Sequence, residues 1–461
     1  MRFTLRKQVS ISTELFGNPD KFGRKIVALA LLGVLVREVF APFTGHPFDF
    51  ELWVRLGYYV SRGVDPYTVT APIPGLSMPG AGDMTWIGYP PTWGFFQAGL
   101  YSLFSASGLS NRFAYYLLIK QPMIAADVLC GLLILRIVAS YAGRGQGARA
   151  FAFWLLCPVT VIVSSIWGMF DQIILMIVLL SVLLFRETRK SALLSALGFV
   201  LKVIPIIYVP LLALSQESRR RAIQYLIVGA GVSVIVCLAP YLAFSGWKVD
   251  SLIGVGTDVA QKRGSSVNYW NLLFQFNLFG GSFSPLSSTI VHILSYAWIP
   301  AVLYAAYIGG IAVKSRSAES EEMLKFLLLS MQFVTLVFFL TKTVINEQYV
   351  IYFLGFGLID YYVTPAPVRR RKLFHLIWIT DLAFLVANNT LMMRFFEPLS
   401  TYYQTLSSNL TVGLAGMLRY ASMDAIAMVF SILCFLYLYS LYKEIRRIPD
   451  DGGSIESATT L

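Results

Sequence analysis

Apolar runs, each about as long as a membrane is thick, follow one another through the chain with short polar segments between them. A bilayer core about 30 Å thick needs roughly 20 apolar residues per helix. Backbone polar groups inside a bilayer must be satisfied within the chain, so such runs predict helices and not strands. The candidate spans are 26–44, 92–108, 113–138, 148–165, 168–185, 191–214, 222–243, 286–313, 322–341, 347–363, 373–392 and 413–442. We therefore predict an all-α integral membrane bundle of about twelve transmembrane helices.

Composition excludes a soluble globular domain. Hydrophobic residues make up 56% of the 461 residues and charged residues only 13%, and the mean hydropathy is +0.65. Cysteines and histidines show no metal-ligand spacing and no disulfide framework; they are Cys130, Cys157, Cys237, Cys434, His46, His292 and His375. No glycine-rich phosphate loop is present, which disfavours an ATP-driven transporter. We expect neither a metal nor another cofactor.

The net charge of +12 is concentrated at the ends of the predicted spans. This distribution is typical of anchoring on the cytoplasmic side of a membrane and not of nucleic-acid binding. It predicts a cytoplasmic N-terminal segment, 1–25, a transmembrane domain, 26–442, and a cytoplasmic tail, 443–461. External loops are then expected at about 45–91 and 244–285. Strict counting of the spans exports the short basic loops 144–149 and 186–190. They stay on the cytoplasmic side only if 113–138 does not cross and 191–214 forms a short hairpin.

The first external loop is the long polar interruption in the chain. From Asp49, positions Leu52, Trp53, Leu56 and Val60 follow the spacing of a helix with one apolar face. This pattern predicts an interfacial helix with Asp49 turned inward and with water on the opposite face. That face carries Glu51, Arg55, Tyr58 and Arg62. Two interpretations of Asp49 stay open: a catalytic base, or a carboxylate stabilised by the helix dipole.

The rest of this loop is read from its turn residues. Gly63 is able to adopt a left-handed cap, and Pro66 cannot continue the helix. Residues 68–88, rich in proline, glycine and methionine, predict either a flexible cover over a binding site or a plain surface loop. Tyr89-Pro90-Pro91 then stiffens the start of the second span.

An ordered set of motifs resembles the GT-C glycosyltransferases, especially the GPI mannosyltransferase I catalytic subunit and prokaryotic polyprenol-phosphate-mannose-dependent mannosyltransferases. The first motif is an aspartate, a glycine fourteen residues later, then x-x-Pro-Tyr and Tyr-Pro-Pro before the next span. Three others follow in order between residues 165 and 349: Gly168-Met169-Phe170-Asp171, Lys202-Val203-Ile204-Pro205-Ile206-Ile207-Tyr208 and Glu347-Gln348-Tyr349. The resemblance covers about residues 45–355 and implies a GT-C-type bundle with interfacial helices in the first external loop.

The chain departs from the family pattern at two places. Pro47 stands where the GPI enzymes carry the first acid of an Asp-x-Asp pair, so only Asp49 carries over and a metal held by paired carboxylates is not expected. In the late motif, Lys342 precedes Gln348 by six residues, whereas the family's lysine precedes by five.

The resemblance implies an inverting transfer of a mannosyl or other hexosyl residue from a polyprenyl or dolichyl phosphate to a hydroxyl of a lipid-linked glycan or glycolipid. Asp49 is the expected base. Cations must hold the leaving phosphate, and the candidates are Lys202, Lys262, Arg263 and Lys342. Substrate contacts are expected from Tyr67, Tyr89, Asp171, Asn268, Gln348 and Tyr349. A lysine inside an apolar stretch is costly, so Lys202 is predicted to contact phosphate or to pair with Asp171.

Other charges within the spans are those that a transporter would use. Lys120 and Asp127 are seven residues apart on one helical face and predict an ion pair, while Arg37 and Glu38 are expected to pair or to reach water. The alternative to an enzyme is a polyprenyl-glycolipid flippase or secondary transporter, but no inverted repeat is found. Expected partners are the lipid donor, the glycolipid acceptor and membrane lipid, with a small membrane subunit optional. Short loops favour a prokaryotic cell membrane; a eukaryotic protein of this kind would lie in the endoplasmic reticulum.

Overall fold

The structure, a computed structural model, describes residues 21–446 except 70, 85–87, 247, 252, 254–265, 273–288, 290–291, 317–319, 389–408 and 410–411. Helices form the regular structure of these residues. The first half contains α1 Lys21–Phe40, α2 Asp49–Val60, α3 Pro91–Ala106, α4 Arg112–Ala142, α5 Arg144–Leu156, α6 Pro158–Val161 continued by a π-helix Ile162–Trp167, α7 Asp171–Leu183 and α8 Thr188–Leu201. The second half contains the 3₁₀-helix Ile204–Tyr208 leading into α9 Val209–Leu214, α10 Arg219–Ser233 joined by a π-helix Val234–Leu238 to α11 Ala239–Ser245, α12 Trp298–Lys314, α13 Ser320–Thr341, α14 Val350–Val363, α15 Val368–Ala387 and α16 Gly413–Arg446.

The helices form one bundle in which neighbours in sequence are mostly neighbours in space. Helices α4 and α5, α7 and α8, α12 and α13, and α15 and α16 pack pairwise, and α14 packs against α4, α13 and α15. Five described helices are long and apolar enough to cross a membrane: Arg112–Ala142, Arg219–Ser245, His292–Lys314, Glu321–Thr341 and Gly413–Arg446. A sixth span results if Arg144–Leu156 and Pro158–Trp167, which meet at a bend of 49°, count as one. The chain is therefore an all-helical multi-pass membrane protein; the predicted number of twelve spans is not confirmed.

Several predicted spans are shorter or broken in the structure. The stretch predicted as 191–214 is interrupted after α8, where Lys202 has extended backbone, and continues as the 3₁₀-helix. The span predicted from residue 347 begins as the 3₁₀-helix Glu347–Tyr349 before α14. Proline at position 205 accounts for the first break, because it has no N–H to donate and its ring would clash with the carbonyl of residue 201 in a continuous helix. Lys202 lies at the first break and Gln348 at the second, so both breaks carry polar residues.

The helix predicted from Asp49 is confirmed as α2, and Gly63 follows it with a φ of 79°. Its interfacial position stays a prediction. Helix α3 starts at Pro91, as the proline pair predicts. The prediction that Glu51 and Arg55 face water is wrong. Both are fully buried, and Arg55 Nε donates to Glu51 Oε1 at 2.8 Å.

A segment of the predicted first external loop, residues 71–84, explains that burial because it folds over α2. The Met78 amide donates to Glu51 Oε2 at 2.9 Å, and Arg55 Nη2 donates to the Gly82 carbonyl at 2.7 Å. Tyr116 of α4 donates to the Leu76 carbonyl at 2.8 Å. Helical periodicity reports which face is polar but not which loop covers it. These hydrogen bonds tie residues 71–84 to α2 and α4; the role of this segment as a cover over a binding site stays a prediction.

The predicted ion pair between Lys120 and Asp127 is also wrong. Asp127 Oδ2 accepts from Arg37 Nε of α1 at 2.8 Å. Lys120 instead donates to the carbonyls of Ala41 and Thr44, at 2.9 and 2.5 Å, and so holds the chain that leaves α1. Spacing along one helix identifies residues that share a face. Here Asp127 pairs with α1, and Lys120 bonds to the chain that follows α1. Glu38 does not pair with Arg37 either; its carboxylate accepts from the Gln121 amide at 3.0 Å.

Candidate functional site

Asp49 is the first residue of α2, where its carboxylate meets two side-chain donors from other parts of the chain. Trp167 Nε1 donates to Asp49 Oδ2 at 3.2 Å, and the Tyr89 hydroxyl donates to Oδ1 at 3.3 Å. The Asp49 side chain keeps 14% of its surface exposed. The carboxylate is therefore oriented by the fold and still open to a ligand. Its place in the first turn of a helix also stabilises the ionised form.

Tyr89 is a neutral hydrogen-bond donor at this site. Burial, reinforced by the neighbouring Asp49 carboxylate, raises the pKa of the Tyr89 phenol well above its ordinary value. The phenol therefore keeps its proton at neutral pH and is able to donate to the carboxylate. Its backbone is braced by Tyr67, whose hydroxyl donates to the Tyr89 carbonyl at 3.1 Å. The turn after α2 and the residues before α3 are thus held together around Asp49.

His46 approaches Asp49 from the chain before α2. Its Nδ1 atom accepts from the Asp49 amide at 3.0 Å and from the Phe48 amide at 3.3 Å, and it lies 3.2 Å from Asp49 Oδ2. The imidazole stacks on the Trp167 indole, with ring centroids 4.8 Å apart, and the His46 amide donates to the Trp167 carbonyl at 2.9 Å. These contacts join the start of α2 to the end of the π-helix.

Gly168 makes the close approach of these two segments feasible. It follows the π-helix with a φ of 82°, a conformation that favours glycine. Its carbonyl accepts from Trp53 Nε1 of α2 at 3.0 Å. A Cβ at position 168 would overlap Phe50 Cδ2 and would lie 3.1 Å from Lys120 Cε. The two segments are so close at this point that only a residue without a side chain fits between α2 and the chain before α7.

Gly168→Ala is expected to destabilise the protein and to separate Asp49 from Trp167. The left-handed backbone costs about 1–2 kcal/mol for a residue with a Cβ, and the overlap with Phe50 about 1–3 kcal/mol more. Gly63→Ala is the matched control, because Gly63 has a φ of 79° and a Cβ added there would have nothing within 4 Å. The midpoint of thermal unfolding in detergent should fall clearly further for Gly168→Ala. Equal shifts would contradict the steric argument.

A buried ion pair lies beside the Asp49 group. Lys202 Nζ, at the end of α8, donates to both Asp171 oxygens at 2.8 Å. The Tyr352 hydroxyl of α14 donates to Asp171 Oδ1 at 3.0 Å. Asp171 is fully buried and Lys202 is 3% exposed. The pairing of Lys202 with Asp171, one of the two alternatives predicted for this lysine, is present in the structure. Two of its three ammonium hydrogens are used, and the third is left for another acceptor.

Lys202 also connects the ion pair to the aromatic groups around Asp49. Its Nζ atom lies 5.8 Å from the Tyr89 ring centroid, 5.2 Å from that of Phe170 and 5.0 Å from that of Tyr349. Cations within about 6 Å of an aromatic face are attracted by its quadrupole. Trp93 stacks on Phe170 with centroids 3.8 Å apart and supports this wall from α3. Asp49, Tyr89, Asp171, Lys202 and Tyr349 thus form one cluster at the ends of different helices, which we call the Asp49 cluster.

The predicted residues from the late motif and the second external loop lie together in a second group. Lys342, which follows α13, is 5% exposed, and its Nζ atom lies 5.7 Å from the Trp298 ring centroid. Asn268 is buried and donates to the carbonyls of Phe339 and Lys342 at 2.7 and 2.8 Å. It therefore anchors the second loop to the chain after α13. Its contact with substrate stays a prediction.

Two further predicted phosphate ligands, Lys262 and Arg263, lie outside the described residues. Gln348 is 1% exposed, and its Oε1 atom has no hydrogen-bond partner among the described residues. The segment 342–349 contains Lys342 and Gln348 of the second group and Tyr349 of the Asp49 cluster, so it connects the two. The catalytic and binding roles of all these residues stay predictions.

Sequence reasoning did not select three residues that contact the Asp49 cluster: His46, Trp167 and Tyr352. Each had a local signal. His46 stands three residues before Asp49, at the spacing of a helix-capping side chain. Trp167 directly precedes the glycine of the second motif, and Tyr352 is one helical turn after Tyr349. Their partners come from distant parts of the chain, which a single sequence does not reveal.

The described residues do not suit a metal ion held by acidic side chains. Pro47 removes the first carboxylate of the paired motif. The other nearby carboxylate, Asp171, is bound by Lys202 and Tyr352. Within the described ranges, no group of three or more histidine, cysteine, aspartate or glutamate side chains is arranged to hold a metal.

Comparisons with known proteins leave the family open. No protein-family model matches the chain, and no curated protein matches it. Among solved structures, the chain is similar to ArnT from Cupriavidus metallidurans, crystallised bound to undecaprenyl phosphate. The sequence identity is 12% and the TM-score 0.45, over 91% of this chain and 76% of that chain. A likeness of this size assigns neither a family nor an activity.

Proposed function

We propose that this chain is an inverting GT-C-type glycosyltransferase. It would move a mannosyl or other hexosyl residue from a polyprenyl or dolichyl phosphate to a hydroxyl of a lipid-linked glycan or glycolipid at the external or lumenal membrane face. The observation that carries the proposal is the Asp49 cluster, in which a partly exposed carboxylate lies beside a buried lysine and aromatic side chains. The ordered motifs that resemble the GT-C enzymes contribute most of these residues.

The proposed base is Asp49. Its carboxylate is oriented by Tyr89 and Trp167, whose donated hydrogen bonds favour the ionised form that accepts a proton. In the reaction, the acceptor oxygen forms a bond to the anomeric carbon, and the bond from that carbon to the phosphate oxygen breaks. The hydroxyl proton goes to Asp49, and the bonding electron pair leaves with the lipid phosphate.

Inversion is supported by the different environments of the two carboxylates in the cluster: Asp49 is partly exposed and Asp171 is buried. A double displacement needs a second carboxylate as nucleophile near the anomeric carbon. Asp171 is fully buried and accepts hydrogen bonds from Lys202 and Tyr352. It is therefore committed to orienting Lys202. A single displacement with Asp49 as base fits this arrangement, and a phosphate leaves without a general acid.

The leaving phosphate needs cationic donors. Lys202 keeps one ammonium hydrogen beyond its pair with Asp171, and Lys342 is a buried lysine near the same segment. Lys262 and Arg263 are the further candidates from the second external loop. A site poor in water strengthens such contacts. We assign Lys342 as the main phosphate contact, because it belongs to the late motif and Lys202 is committed to both oxygens of Asp171.

Lys342→Gln is expected to raise the donor KM by about tenfold to hundredfold, since a hydrogen bond to a charged group contributes roughly 1.5–3 kcal/mol. The matched control is Lys325→Gln, near the other end of α13, where the lysine pairs with Glu322 at 3.1 Å. Steady-state kinetics with varied donor concentration measure both. An unchanged donor KM in Lys342→Gln would remove Lys342 from the phosphate site.

The function is tested by purifying the protein in detergent and supplying radiolabelled polyprenyl-phosphate-mannose with a membrane lipid extract. Parallel reactions use glucosyl and arabinosyl phosphate lipids, because the residues do not distinguish these sugars. Label that moves to a second lipid or glycan, with inverted anomeric configuration, supports the proposal. Labelled donor that crosses the bilayer of proteoliposomes without transfer would instead support the flippase alternative.

A further inference from the structure

We propose that His46 is the positioning residue of the Asp49 carboxylate. Its Nδ1 atom accepts hydrogen bonds from the backbone at the start of α2. When Nδ1 is protonated, it forms an ion pair with Asp49 Oδ2, and Asp49 then no longer acts as a base. The inference rests on the proposed function for the role of Asp49. It goes further by adding a residue outside the motifs and by giving the site a dependence on pH.

The first step concerns the tautomer of His46. A neutral imidazole has one nitrogen that donates and one that accepts. Nδ1 receives the backbone N–H groups of Asp49 and Phe48 at 3.0 and 3.3 Å, so it is the acceptor. The geometry assigns the hydrogen of the neutral ring to Nε2. In this state His46 caps α2 by satisfying amides that have no partner within the helix.

The second step concerns the contact between His46 and the carboxylate. Nδ1 lies 3.2 Å from Asp49 Oδ2. In the neutral ring these two atoms are both acceptors, and the Asp49 amide between them supplies the hydrogen bond to the ring. A proton on Nδ1 reverses the pattern: the ring loses both amide donors and donates to Oδ2 instead. The carboxylate then has one oxygen in an ion pair and is a weaker proton acceptor.

The third step concerns how the ring is held. It stacks on the Trp167 indole at 4.8 Å between centroids, and the His46 amide donates to the Trp167 carbonyl. Trp167 Nε1 donates to the same Asp49 oxygen that faces Nδ1. One tryptophan therefore fixes both the imidazole and the carboxylate. Protonation of Nδ1 therefore converts the existing 3.2 Å contact between Nδ1 and Asp49 Oδ2 into a hydrogen bond without moving the ring.

Other titratable groups face this pair from every neighbouring segment. Tyr89 and Tyr349 carry phenols, which ordinarily titrate near 10. Asp171 and Lys202 are paired with each other. Two further charged groups lie on neighbouring elements: Glu51 pairs with Arg55 on α2, and Lys120 donates to the backbone carbonyls of Ala41 and Thr44. Among the described residues around Asp49, His46 carries the group whose ordinary pKa falls between 5 and 8.

The test compares two substitutions that separate the Nδ1 atom from the rest of the ring. His46→Asn places an amide oxygen where Nδ1 stands, so it still accepts from the Asp49 amide but does not titrate. His46→Gln reaches the position of Nε2 and offers no acceptor at Nδ1. Both variants and the wild type are assayed for sugar transfer between pH 5.5 and 7.5, at saturating donor and acceptor.

The wild type should lose about tenfold in kcat between pH 7.5 and 5.5, because the imidazole is the group in this range whose protonation forms the ion pair with Asp49 Oδ2. His46→Asn should keep kcat at pH 7.5 within about threefold and lose the acid decline, while His46→Gln should lose about tenfold or more at every pH. The inference is overturned if His46→Asn keeps the wild-type pH profile, or if it is as impaired as His46→Gln, because the ring and not its acceptor atom would then matter.

A second readout does not need activity. A protonated imidazole stacked on an indole quenches its fluorescence, so Trp167 emission should fall as the pH is lowered. The difference between wild type and Trp167→Phe isolates that emission among the nine tryptophans. The pH dependence should vanish in His46→Asn. If the wild type transfers no sugar, the proposed function fails, and a pH-independent Trp167 emission would separately refute the titration of His46.

Discussion

Asp49→Asn is expected to lower kcat by about a hundredfold to ten-thousandfold, the usual contribution of a positioned general base. Asparagine has nearly the same shape as aspartate but does not accept the hydroxyl proton. Its amide still accepts from one of Tyr89 and Trp167, so α2 keeps its place. Because Asp49 is assigned no contact with the lipid phosphate, the donor KM should change little. A fall in kcat without a rise in KM marks an interaction made in the transition state.

Two controls accompany this variant. Asp49→Glu keeps the carboxylate but displaces it by one methylene, and a misplacement of that order costs roughly a hundredfold. Asp83→Asn removes an exposed carboxylate from the same loop, between α2 and α3, and should leave transfer unchanged. Single-turnover transfer from labelled donor separates chemistry from product release. Wild-type rates in Asp49→Asn would show that another group takes the proton.

Arg37→Met is expected to lower the free energy of unfolding by about 3–5 kcal/mol, the cost of leaving a buried charge without its partner. The Arg37 guanidinium is fully buried and donates to Asp127 at 2.8 Å. It also donates to the Gly33 and Leu155 carbonyls at 2.9 and 2.8 Å. The methionine fills part of the space but satisfies none of these acceptors. Intrinsic fluorescence during thermal unfolding in detergent measures the effect.

The double variant Arg37→Met/Asp127→Leu separates the lost pair from the lost packing. Removing both charges should restore most of the stability, because apolar residues of similar volume often replace a buried pair without cost. Arg24→Met, which removes an exposed arginine from the same helix, should change little. If the double variant is as unstable as Arg37→Met alone, the unpaired charge is not the cause.

The local geometry of the segment between α1 and α3 is largely readable in the sequence. Asp49 begins a helix, Gly63 ends it, and Pro91 starts the next one. Each of these features depends on the conformational preference of one residue and its near neighbours. Lys202 was predictable for a similar reason, because a lysine in an apolar stretch needs a partner and few carboxylates are available. Its pair with Asp171 satisfies that need.

The contacts between distant segments were not readable. Lys120 and Asp127 share a face of α4, yet Asp127 pairs with Arg37 of α1. The choice depends on which helices pack together, and spacing along one helix carries no information about that. The predicted exposure of Glu51 is wrong for a related reason, because residues 71–84 cover the helix face that periodicity alone assigns to water. His46 was passed over because its partners, Trp167 and the Asp49 amide, meet only in the folded chain.

The π-helix Ile162–Trp167 has a consequence for how this protein tolerates insertions and deletions. A π-turn holds one residue more than an α-turn, and each residue of an α-helix advances the chain by about 100°. Deleting one residue between 162 and 166 would remove that extra residue and leave the residues on either side of the turn in nearly the same phase around the helix. The Trp167 indole would then still face Asp49, whereas a deletion within the regular α-helix α5 would turn the residues that follow it by about 100°. The π-turn is thus the place in this segment where the chain can lose one residue without turning Trp167 away from the carboxylate.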